Sequence, residues 1–71
     1  MTEDGDSLMV AVRRLRAAQA LTREAQIMIH RDASLSPADR EQMSFFAEQN
    51  WTHLGLTAAY GEHRLLRGDQ E

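Results

Sequence analysis

The four residues Ser36-Pro37-Ala38-Asp39 constrain this chain most, because they start a helix and so divide the sequence in two. Ser36 can accept a hydrogen bond from a free backbone N–H at a helix start, and Pro37 fits the first helical position, where a missing donor costs nothing. Asp39, three residues after the cap, puts negative charge at the positive end of the helix dipole and makes a weaker version of the Glu/Gln capping box. Everything before Ser36 must therefore form a separate element.

From Leu8 to about Arg31 there is no Gly or Pro, and the helix formers Ala and Arg are abundant. At about 100° per residue, Leu8, Ala11, Val12, Leu15, Ala18, Leu21, Ala25, Met28 and Ile29 share one broad apolar arc. Ala11, Ala18 and Ala25 recur every seven residues in its middle, where small side chains let another helix come close. Asp32-Ala33-Ser34-Leu35 is too short a link for anything but an antiparallel return. On the second helix Met43, Phe46, Ala47, Asn50, Trp51 and Leu54 lie on one side, and simple register sets Trp51 opposite Ala17 and Ala18. The expected hairpin core is Leu15, Ala18, Ala25, Phe46, Trp51 and Leu54.

The stretch Trp51 to Thr57 allows two readings. In the preferred one the helix ends at Leu54, Gly55 turns left-handed, Leu56 folds back onto Trp51 and Thr57 caps a third helix. The rival reading runs one helix from Pro37 to Arg67, since Ala58, Gly61 and Leu65 continue the earlier stripe in phase. A first helix of about 36 Å against an unbroken second one of about 46 Å would leave roughly two turns overhanging, which favours the break. The fold expected is thus all-α. It is a hairpin with a third short helix packed as a three-helix bundle, or two long helices that form a dimeric four-helix bundle. Residues 1–6 read as a disordered acidic tail and 7–68 as one helical domain, with helices at about 8–31, 37–54 and 57–67. Residues 69–71 read as a second tail.

Seventy-one residues make one domain at most, and a core of that size supplies only about 3–5 kcal/mol. With no cysteine, neither a disulfide nor a thiolate metal site adds to it. The net charge of −3 argues against nucleic acid, which favours a strongly basic face. No apolar run approaches the roughly 20 residues that span a membrane, and the acidic start is unlike a signal peptide. A cytoplasmic location follows as the expectation. His30, His53 and His63 lack metal-ligand spacing, and there is no phosphate loop or nucleophile elbow, so no enzyme, metal or cofactor is expected.

Leu54-Gly55-Leu56-Thr57 resembles the turn of a helix-turn-helix DNA-binding unit. The resemblance implies a recognition helix on which Ala58, Ala59, Glu62 and His63 would face DNA. Trp51, Gly61 and Arg64 depart from that pattern, since the motif wants a small residue at the first position and apolar ones at the other two. The principal expectation is instead a protein–protein interaction module: a regulator, adaptor, inhibitor or small subunit that buries an apolar helix face in a protein partner or a twin subunit as a homodimer. Phe45, Gln49, Thr52, Leu56, Ala59, His63 and Leu66 form a second stripe on the second helix. The expected contact residues are Phe45, Leu56 and Tyr60, with Arg13 and Arg16 on a basic face for an acidic partner.

Overall fold

A computed structural model describes residues 3–68, which form two helices: α1 over Glu3–Arg31 and α2 over Pro37–Gly68. They pack side by side as an antiparallel hairpin 52 Å long and 14 by 12 Å in cross-section. No described helix is long and apolar enough to cross a membrane.

The turn between them is closed by short polar contacts. The Asp32 carboxylate accepts from both the backbone N–H (2.8 Å) and the hydroxyl (2.6 Å) of Ser34, as Asp does in tight turns. Those two donors hold the Asp32 carboxyl below the usual carboxylate range. Arg40 reaches back from α2 and donates to the Asp32 and Leu35 carbonyls at 2.7 and 3.1 Å. Ser36 caps α2 as the sequence implies: its hydroxyl oxygen accepts from the Asp39 N–H at 3.1 Å, and its carbonyl accepts from the Arg40 N–H at 2.9 Å.

The expected break at Gly55 is absent, and α2 runs unbroken past it. Two local facts account for this. Gly55 has no positive φ, and its missing Cβ serves instead for close approach. A Cβ built there would stand 2.5 Å from the Gln19 side-chain nitrogen across the hairpin. Thr57 does not cap a new helix either; its hydroxyl donates to the His53 carbonyl four residues back, at 2.9 Å. The overhang that favoured a break also disappears, because α1 begins at Glu3 and takes in most of the stretch read as a tail. At 1.5 Å per residue the helices are about 44 and 48 Å long. Residues 1–2 and 69–71, read as parts of the tails, lie outside the described residues.

The seam between the helices is rotated from the expected arc. Its residues on α1 are Leu8, Val12, Leu15, Gln19, Thr22, Gln26 and Ile29, and on α2 Arg40, Ser44, Ala47, Trp51, Leu54, Ala58, Gly61 and Leu65. All are buried or half-buried. Both series step by alternating fours and threes, the spacing that keeps one stripe facing a partner helix. Among the described residues, Val12 and Ala58 are the buried hydrophobic ones, joined by the polar Gln19, and no large side chain is fully buried. Of the expected core, Leu15, Trp51 and Leu54 lie half-buried in the seam, and Ala18 is half-buried at its edge. Ala25 is exposed, and so is Phe46, at 53%. The rotation has a physical source: it lets Gln19 and Gln26 reach α2 carbonyls and brings Arg16 and Arg23 onto α2 glutamates, which an alanine-centred seam would not.

Candidate interaction surface

The two long edges of the hairpin differ in chemistry. Along one, Arg16 grips Glu62 with two bonds, Nε to Oε2 at 3.0 Å and Nη2 to Oε1 at 2.8 Å. Its third nitrogen donates to the Gln19 side-chain oxygen at 2.8 Å, and Gln19 in turn donates to the Trp51 carbonyl at 3.0 Å. One step on, Arg23 donates to Glu48 at 2.7 Å and to Gln26 at 2.6 Å, and Gln26 donates to the Ser44 carbonyl at 3.2 Å. The Arg23 guanidinium also stacks 4.1 Å from the centre of the Trp51 ring, close enough for a cation–π attraction. Bonding to the arginines holds both glutamates below the usual carboxylate range, and bonding to Glu62 raises the Arg16 pKa.

The opposite edge is open. A shallow groove of about 330 Å³ there is lined by Thr22, Asn50, His53, Leu54 and Thr57. By helical spacing, Ala11, Ala18, Leu21, Ala25 and Met28 of α1 lie on this side, as do Met43 and Phe46 of α2. Leu21, Met28, Met43 and Phe46 are all exposed, Met28 at 71%. Between Ala11 and Met28 this flank of α1 carries one charge, Arg14, and the matching flank of α2 from Met43 to Gly61 carries no Arg, Lys, Asp or Glu.

The expected contact residues divide between two sides. Phe45 and Leu56 lie on the outer side of α2, away from α1, whereas Tyr60 falls in the seven-residue row of Phe46 and His53 on the open edge; all three are exposed, Leu56 at 64%. The Phe45 ring is 6.0 Å from that of Phe46, so one aromatic pair joins the outer side to the open edge near the turn. Arg13 is exposed. Arg16 is engaged by Glu62 within the hairpin, which takes it out of a free basic face. The turn that a helix-turn-helix unit needs at Leu54–Thr57 is continuous helix.

The arginine edge was not anticipated from the sequence, although its trace is there. Arg16 and Arg23 are seven apart, and Glu48, Gly55 and Glu62 repeat with the same interval. Only the rotated seam shows that the two series meet. No family model, curated protein or solved structure matches this chain.

Proposed function

We propose that this hairpin is a non-enzymatic protein–protein interaction module, acting as a regulator, adaptor, inhibitor or small subunit. One observation carries the reading: bulky apolar side chains stand exposed along both helices while the seam holds Gln19, Thr22, Gln26 and Ser44. Single exposed hydrophobes are ordinary, but a run of them beside a thin core marks a surface that gains by being covered. The mechanism is burial of a helix face against a partner's helices.

Photo-crosslinking residues placed at Phe45, Phe46 and Leu56 in cells test this, with helicity measured alongside. Discrete protein adducts with helicity intact support the reading. Absence of any adduct at all three positions removes it. Loss of helicity on Phe45→Ala would assign Phe45 to the fold instead.

A further inference from the structure

We propose that the open edge is covered by a second copy of this chain, related by a two-fold axis parallel to the hairpin. The inference rests on the interaction-module reading and names its partner. Three observations carry it.

The first is shape. Cross-hairpin contacts fix the heights of the residues: Gln26 bonds the Ser44 carbonyl, Gln19 bonds the Trp51 carbonyl, and Val12 abuts Gly61. Phe46 therefore stands at the height of Ala25, and Leu54 at the height of Ala18. Next to the seam on this edge α1 presents the small row Ala11, Ala18 and Ala25, with Leu21 and Met28 further out, and α2 presents Leu54 and Phe46 level with Ala18 and Ala25. A two-fold axis along the hairpin lays each α1 on the partner's α2 at the same height, so Phe46 of each copy meets Ala25 of the other and Leu54 meets Ala18. An isologous contact requires this self-complementarity, and large-on-small pairing lets helices approach closely.

The second is charge. Arg14 is the one charged side chain on the flank from Ala11 to Met28, and the flank from Met43 to Gly61 has none, so over that span each copy brings a single charge to the contact. The ion-paired edge, which would have to be broken to admit a partner, faces away.

The third is area. A side 52 Å long and two helices wide offers on the order of 800 Å² per copy, the contribution of one partner to a standard stable interface.

Sedimentation equilibrium from micromolar to several hundred micromolar is the first test, with a dimer expected. Ala25→Glu should weaken the dimer at least tenfold with helicity kept, since Ala25 is exposed in the hairpin, and Ala20→Glu on another exposed side should not. The chain has no cysteine, so an Ala25→Cys chain mixed with a Phe46→Cys chain under copper–phenanthroline should give the crossed disulfide in preference to either homodimer. A monomer throughout the concentration range overturns the proposal. So does a dimer indifferent to Ala25→Glu but lost on Leu56→Ser, which would place the contact on the outer side of α2. A monomer that still gives adducts with another protein in cells removes the second copy alone, whereas a monomer with no adducts removes the interaction-module reading as well.

Discussion

Val12 packs directly on the bare backbone of Gly61: a Cβ built on that glycine would stand 2.7 Å from a Val12 methyl and 3.4 Å from a Leu8 methyl. Val12 is buried and its branched side chain is stiff at χ1, so it cannot swing aside. The helices must part locally to admit a methyl there. Gly61→Ala should gain about 1 kcal/mol of helix propensity and lose more to overpacking, for a net destabilisation of about 1–2 kcal/mol in urea unfolding.

Gly55 gives the contrasting case. Its virtual Cβ meets the end of a flexible side chain, the Gln19 amide at 2.5 Å, which can rotate away. Gly55→Ala then exchanges the Gln19–Trp51 hydrogen bond for helix propensity, and each is worth about 1 kcal/mol. Stability should change by less than about 1 kcal/mol, and circular dichroism melts of the two glycine variants side by side would show the difference in sign or size.

Acid should loosen the hairpin along its arginine edge. Glu48, Glu62 and Asp32 are all held below their ordinary pKa by bonds in the folded state. A carboxylate depressed on folding adds stability above its unfolded pKa and loses it as the pH falls through the folded value. The thermal midpoint should hold from neutral pH to about 5 and fall below about 4. The loss should be small, since the groups are exposed and screened, and 1 M NaCl should shrink it further. Glu48→Gln together with Glu62→Gln should flatten the acid limb of that profile.

The turn rests on Ser36 and Arg40. Ser36→Ala removes the acceptor for the Asp39 N–H and should cost about 1 kcal/mol. Arg40→Lys should not substitute for the arginine, because two carbonyls are met by one end of a planar fork that an ammonium does not reproduce. Amide exchange at Asp32 and Ser34 should quicken in both variants by a larger factor than at Val12, whose exchange follows only the loss of global stability.

The sequence made the helix start at Ser36 and the antiparallel return legible, because capping is decided within four residues. The fate of Gly55 was not, because a glycine that ends a helix and one that admits a neighbour read alike until the neighbour is known. That neighbour, Gln19, is a polar residue set between apolar positions, which periodicity alone leaves out of a seam. The same omission hid the meeting of Arg16 with Glu62 and pushed Ala25 and Phe46 into a core they do not occupy. Exposure of Phe45, Leu56 and Tyr60 was legible, since they fall off the stripe that packs.

The alternation of four and three along the seam has one more consequence. A straight α-helix drifts by about 20° for every seven residues of such a repeat, so over three repeats the stripe from Leu8 to Ile29 would turn away from α2 by about 60°. To hold both ends against α2 the pair must wind round itself with a left-handed twist. The open edge is then a slowly turning ribbon, and a flat, rigid surface could meet only part of it; whatever covers its whole length must wind with it in the same hand.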